Sequence, residues 1–498
     1  MSENNRIKQA GEYTLDKVEL ISYRRHQGEQ TPHKVNIKPI TLNVELTEDI
    51  YSNTMVGAIT VYDMQDIRTV LPITGMEKLN LVFSTPGMEG VNATEEDGYP
   101  FQIYKIDEVR QDTGNATGRG QFYKIFFCSS EMYFSSINRI SKAYSGPIED
   151  AVEDIFRGKT KLNSKKQFYF EPTSTNAKYV IPNLRPLNAI NFLSSYAKSA
   201  NYKNAGYLFF ETPDGYHFRS VESLLGMGGA KARPAKFSFQ SGISNVREGE
   251  VRDVMIDMSN VISYDFLRPA DALRQIRTGV YANTLIEHDA FNKTFTKTEY
   301  DYLADFGKYF HTEHDNGDKT ADKGMIPFTK FEDTNKDISQ NYMAKLMTKT
   351  KATKLHNDYE LPSHADTTQV RIPQYEAMKS TNLKLQVFGN SLLKAGDIIT
   401  FDIPLMRPLG NTKDKRQESS PYFSGRYMIT AIKHIINMKA QRYEMVLDCM
   451  KDAVRTSYPA ELDQNIVNTP DRGVTSIYQA DKDILSGDIT ATVLRKDF

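Results

Sequence analysis

Apolar residues recur at every second position near both ends of this chain, and that spacing makes antiparallel sheet the framework to expect. In RYEMVLDCM, Tyr443, Met445, Leu447 and Cys449 alternate with Arg442, Glu444, Val446 and Asp448. Leu42, Val44 and Leu46 alternate with Thr41, Asn43 and Glu45, and Leu79, Leu81 and Phe83 with Lys78 and Asn80. Successive side chains of a strand point to opposite faces, so these runs predict strands buried on one side only. The intervening STPGMEGVNATEEDGYP and RQDTGNATGRG carry the Gly, Asn, Asp and Pro that loops require. After an N-terminal arm at 1–14, a first β-barrel or sandwich is therefore expected over 15–139.

The period changes in SGPIEDAVEDIFRG. Pro147 suits a first helical turn, Glu149 and Asp150 sit near the positive end of the helix, and Gly158 follows its last turn. Ile148, Ala151, Val152, Ile155 and Phe156 then form one apolar stripe. A second helix is expected after Pro186, with Leu187, Ile190, Leu193 and Tyr196 on one face. It leads into a hairpin around Pro213, Asp214 and Gly215. The segment 140–245 reads as an α+β module.

Strand character returns in VRDVMIDMSNVISYDF and GVYANTLIEHDAF, around a short helix at PADALRQIR, and resumes after Leu383. A second β domain is thus expected over 246–299 and 373–453. The stretch 300–372 is polar, with one candidate helix at ISQNYMAKLMTK, and reads as a surface insertion. The extension 454–498 is polar with short apolar patches and is expected to lie over another surface.

A length of 498 residues implies two to four cores, and 28 Tyr and 26 Phe supply ample material for them. Sixty-two basic against sixty-three acidic residues leave a formal charge of −1, so no global footprint for nucleic acid or an anionic membrane exists. Cys128 and Cys449 fit no paired-cysteine spacing and are expected as buried thiols. The first residues contain no apolar core of a signal peptide, and no apolar run is long enough to span a bilayer; a cytosol-like setting is expected.

DTNKDIS begins like a calcium loop at Asp333, Asn335 and Asp337, but Ile338 stands where Gly is needed and Ala344 where a bidentate Glu belongs. HTEHDNGD groups His311, His314, Asp315 and Asp318, which suits an interface metal, although a solvated loop is the simpler expectation. GMGGAKARP lacks the GK[ST] of a phosphate cradle, and KTKATK at 349–354 reads equally well as a basic run that touches phosphates and as a solvated helix end. The carboxylate pairs Glu95 with Glu96 and Glu149 with Asp150 lie where ionisation is favoured, unlike a raised catalytic acid. No GxSxG or HExxH occurs. No catalytic, cofactor-binding or metal-binding residues are assigned.

Two stretches resemble each other. PFQIYKIDEV, a loop and QFYKIFFC match GRYMITAIKH, a loop and QRYEMVLDC, placing Gln121, Tyr123 and Cys128 beside Gln441, Tyr443 and Cys449 with one residue of slippage. Duplication and shared strand composition each produce such a match. Three further pieces, LRPLNAINFLSSYAKSANYKNAGYLFFETPDGYHFRSVESLL, FGNSLLKAGDIITFDIP and SGRYMITAIKHIIN with QRYEMVLDCMKDA, carry a resemblance over residues 15–455. With these, the chain resembles the tail-hub family of contractile phages, the gene-product-27 type, whose fold also forms the N-terminal part of VgrG spike proteins.

The resemblance implies a β-rich α+β chain in which two antiparallel, tube-type β-barrels flank a spike-facing α+β module. It implies a homotrimer of six barrels joining the tail tube protein to the central spike protein. Neighbouring baseplate proteins would surround it, and its lumen would hold the tape-measure protein and later pass viral DNA without sequence-specific binding. The expected place is the virion tail baseplate, assembled in the host cytoplasm, with no cofactor and no enzymatic activity. A tail-associated glycan hydrolase and a receptor-binding module are the alternatives.

Overall fold

A computed structural model describes residues 6–23, 33–71, 73–112, 120–203, 205–227, 231–241, 253–268, 271–290, 292–313, 345–350, 363–404, 419–420 and 422–454. The fold is β-rich, with helices between large antiparallel sheets. The two expected β domains do not form separate sheets. Thr41–Asp49 of the first pairs antiparallel with Gly425–Asn437 of the second, Leu46 opposite His434, so both belong to one 14-stranded sheet. One continuous apolar core runs beneath them, from Val18 and Phe127 to Tyr427 and Leu447.

Short strands aside, the first unit places Thr41–Asp49, Val56–Asp63, Gln121–Ser129, Phe101–Gln111, Lys78–Ser84 and Thr14–Ser22 side by side in that order. The second unit places Val261–Arg268, Thr381–Phe388, Arg442–Lys451, Gly425–Asn437, Ile398–Asp402 and Phe237–Gln240 in theirs. Counted along the chain within each unit, both orders read second, third, sixth, fifth, fourth, first. The β-bulges recur too. One falls between Thr41 and Asn43 and its counterpart between Val261 and Ser263; another falls between Ile103 and Lys105 and its counterpart between Ile429 and Ala431. A bulge is a local, position-specific device, so its recurrence at matching places fixes the register of the repeat. That register sets Phe127, opposite Ile103, against Cys449, opposite Ile429. The letter match of Cys128 with Cys449 is thereby displaced by one residue. The units differ in one pairing: Thr14–Ser22 runs antiparallel to Lys78–Ser84, but Phe237–Gln240 runs parallel to Ile398–Asp402. A bridge from Gln240 to Asn260 brings the ends of the second arc together.

Alternation predicts most of the buried positions, and bulges explain the departures. Because of the irregularity after Thr41, Thr41 is buried and Leu42 only partly so, while Val44, Leu46 and Glu48 face inward. Asn80 is fully buried despite its polar parity, with its carbonyl oxygen accepting from the Glu95 amide at 2.8 Å.

The central module follows its expected elements. Helix Ile148–Arg157 buries all five residues of its apolar stripe, with Gly158 at its C-cap. Pro147 lies one place earlier than expected: it ends the strand Ile140–Pro147 and serves as N-cap. Helix Pro186–Ser194 buries Leu187, Ile190 and Leu193, and Tyr196 falls just beyond it. Tyr207–Thr212 and Gly215–Ser220 form the hairpin, Gly215 adopting φ +141° where an added Cβ would lie 2.4 Å from the Gln167 carbonyl.

Between module and second unit the structure corrects several expectations. Val254–Ser259 is a short helix capped by Asp253, not a strand; Val261–Arg268 alone from this region joins the large sheet. Ala282–Asp289 instead centres a separate three-stranded sheet with Thr294–Asp301 and Leu346–Thr350. Leu346–Thr350 is therefore a strand, although ISQNYMAKLMTK carries a helical pattern; its parallel pairing with Ala282–Asp289 overrides local propensity. Residues 338–344 lie outside the described residues.

Candidate functional site

The groups that bind the units together are buried polar residues at their joints. The densest joint couples the first β unit to the central module. Glu211 lies on Tyr207–Thr212, in the inward parity of Tyr207 and Phe209. Its Oε2 accepts from the Ser129 hydroxyl at 2.5 Å, the Met55 amide at 2.9 Å and the Tyr216 hydroxyl at 3.0 Å, and its Oε1 accepts from Lys166 Nζ at 2.5 Å. Lys166 also reaches Glu131 Oε2 at 3.1 Å, and the Ser164 hydroxyl donates to Glu131 Oε1 at 2.6 Å. Ser129, Met55 and Glu131 belong to the first unit, whereas Lys166, Glu211 and Tyr216 belong to the module.

Burial raises the Glu211 carboxyl above its ordinary value against the pull of Lys166. Burial acts equally on Glu131, but there the Lys166 charge and the Ser164 hydroxyl prevail and hold it low. Removing one partner of such a buried set costs about 3–5 kcal/mol, because the other charge is left uncompensated. A cleft of about 170 Å3 opens beside the cluster, lined by Met55, Val91, Phe101, Lys166, Glu211 and Gly215. Perturbed carboxyls in a cleft are the usual signature of an acid–base pair. Here four donors drawn from both units converge on Glu211, and that saturation makes the cluster a joint.

The seam between the β units holds a second buried set. Glu48 Oε1 and the Tyr443 hydroxyl lie 3.0 and 2.7 Å from the two ring nitrogens of His434, and Glu48 Oε2 accepts from the Ala395 amide. Phe83 of the first unit packs edge-on against both His434 and Tyr443 of the second.

A third set lies where the segment after Thr294–Asp301 meets the end of the second unit. His311 Nδ1 is 2.8 Å from Asp452 and its Nε2 is 2.8 Å from the Phe306 carbonyl, while the Thr312 amide and hydroxyl donate to Asp452. Burial opposes charge on Asp452, but His311 and Thr312 hold it below its ordinary value. Lys451 and Glu313, both almost fully buried, pair at 2.6 Å. His311 was expected in a solvated loop; it is instead buried against the Phe306 ring with both nitrogens facing acceptors, which leaves neither for a metal. His314, Asp315 and Asp318 lie outside the described residues, as does the whole of 333–339.

The other sequence candidates are dispersed. Glu95 meets Tyr23 and Lys34, and Glu96 pairs with Lys17 at 3.2 Å. Glu149 bonds Thr173 at the helix start. Gly226 bridges to Ala232 and the Met227 amide donates to the Lys231 carbonyl; 228–230 lie outside the described residues. Lys349 and Thr350 end a strand, not a helix, and 351–354 are outside the described residues. Cys128 and Cys449 are buried free thiols, and burial pushes Cys128 up to about 12. Among the described residues no helix is long and apolar enough to cross a membrane.

Sequence reading passed over Glu48, Glu131, Lys166, Glu211, His434 and Asp452. A signal was present at three of them. Glu48, Glu211 and His434 each occupy the core-facing parity of a strand whose neighbours at that parity are apolar. A polar residue there needs a partner.

No protein-family model and no curated protein matches the chain. Among solved structures it is similar to a tail protein from Neisseria meningitidis, at 10% identity over 89% of this chain and 97% of that one, TM-score 0.48. It is similar to the 43 kDa tail protein of prophage MuSo2 from Shewanella oneidensis, at 8% identity over 88% and 98%, TM-score 0.46. An E. coli component of the type VI secretion system, described as structurally similar to T4 tail proteins gp27 and gp5, aligns at 10% identity over 90% and 79%, TM-score 0.39.

Proposed function

We propose that this chain is a noncatalytic hub subunit of an injection tail, a homotrimer joining a sixfold tube to a threefold spike. The observation that carries the reading is the repeated six-strand order with its repeated bulges. One chain offers two equivalent units, so three chains offer six equivalent positions to a hexameric tube and three to a trimeric spike. On this reading the tube-type barrels are the unit at 15–139 and a second unit that takes Phe237–Gln240, outside its expected bounds of 246–299 and 373–453, along with Val261–Arg268 and the later strands, with Ala282–Asp289 set apart. The module, expected over 140–245 but without Phe237–Gln240, faces the spike, and the lumen takes the tape-measure end and then DNA. The tail-hub resemblance of 184–225, 388–404 and 424–453 supports the same assignment.

The buried joints fit a load-bearing part. Saturated ionic clusters between units resist sliding because any displacement strands a buried charge. Light scattering on the full-length chain, alone and mixed with its tube and spike neighbours, tests the proposal. A mass of three chains is expected. A strict monomer that binds neither neighbour would remove it.

A further inference from the structure

The seam within the chain has an unfilled counterpart, which specifies the self-association that the hub reading requires. Gly425–Asn437 uses one side for Arg442–Lys451. On the other side its first residues pair with Ile398–Asp402, and its remainder, Ala431 to Asn437, takes Thr41–Asp49. Its repeat equivalent, Phe101–Gln111, likewise gives one side to Gln121–Ser129 and pairs Phe101 and Gln102 with Lys78–Ser84. Beyond Ile103, whose amide donates to the Glu77 carbonyl, that second side carries no ladder among the described residues. The equivalent of Thr41–Asp49 is Val261–Arg268, which pairs with Thr381–Phe388 on one side and carries no ladder on the other among the described residues. Among the described residues, each edge lacks the neighbour that its counterpart possesses. Exposed apolar side chains also mark both: Tyr104 and Val109 on one, Ile262, Tyr264 and Leu267 on the other. An open edge flanked by apolar residues is a template for another strand.

We propose that Val261–Arg268 of one copy pairs antiparallel with the second side of residues 105–110 of a second copy, reproducing the internal seam between chains. The bulges supply the register. Asp265, opposite Lys384, corresponds to Glu45, opposite Ala58. Arg110, opposite Phe122 beyond a second irregularity after Asp107, corresponds to Ile435, opposite Glu444. Glu45 stands opposite Ile435 in the internal seam, so Asp265 of one copy stands opposite Arg110 of the next. Opposite charges meet at directly facing positions, which favours this register over its neighbours. Repeated from copy to copy, the contact alternates internal and intermolecular seams, and on the hub reading three chains complete the six units.

Charge exchange in the full-length chain tests the contact. Arg110 and Asp265 are both exposed, so substitutions there leave the fold intact, checked by an unchanged thermal melt. Arg110→Asp and Asp265→Arg each set like charges face to face and should weaken trimer formation by on the order of ten-fold, with recovery in the double variant. Arg110→Cys with Asp265→Cys should give an oxidation ladder up to three chains. Lys105→Cys with Asp265→Cys should not, since five residues along a strand are about 16 Å. A trimer that forms with neutral charge exchange and no 110–265 cross-link overturns this pairing but leaves the hub reading standing. A chain that stays monomeric overturns both.

Discussion

His217 shows how one side chain ties stability to pH. It lies between the rings of Tyr169 and Phe210, each stacked at 5.0 Å, on three adjacent strands of the module. Its Nε2 is 3.0 Å from the Thr212 hydroxyl, and burial depresses its pKa to about 3. A base depressed in the folded state takes up its proton mainly when unfolded. Stability is therefore intact above the unfolded value of about 6.5 and falls as pH drops from there towards 3, by up to about 1.4 kcal/mol per pH unit. Chemical denaturation at pH 7, 6, 5 and 4 should show this slope, and His217→Phe should lessen it by roughly one proton. An identical slope in that variant would show that His217 contributes nothing to it.

Among elements, the close approaches depend on glycine. Gly389 follows the strand Thr381–Phe388, and an added Cβ there would lie 2.0 Å from the Tyr443 ring. That ring is fully buried and holds His434, which holds Glu48 across the seam. Gly389→Ala must displace Tyr443 and is expected to destabilise by about 1–3 kcal/mol, as overpacking does. A lowered melting temperature in calorimetry checks it, with Gly307→Ala as the control, since nothing lies within 4 Å of that position. The buried face of helix Ile148–Arg157 was legible because its stripe has a clean helical period, although its start lies one residue later than Pro147 suggested. Leu346–Thr350 was not, because its identity rests on a parallel partner some sixty residues earlier.

Across the whole molecule, the shared core and the seam make the two β units one cooperative body. Ile50, Phe210, Leu224, Met378, Ile398 and Met428 form a further cluster that draws the module into both. Amide hydrogens of Leu46, Ile432 and His434 should thus exchange as slowly as those of Arg442–Lys451, through global unfolding alone. Faster exchange at the seam would mean that the units open independently.

Period two and helical periodicity, read from the residues alone, determined most element types, most core faces and a faint trace of duplication. Such patterns are local: they report which side of an element is apolar, not what that side meets. Tertiary structure decided that Thr41–Asp49 joins Gly425–Asn437, that Glu211 and His434 find partners from other units, and that bulges set the register of the repeat. Strand pairing and buried charge are settled between segments tens to hundreds of residues apart, where the spacing of letters along the chain carries no information.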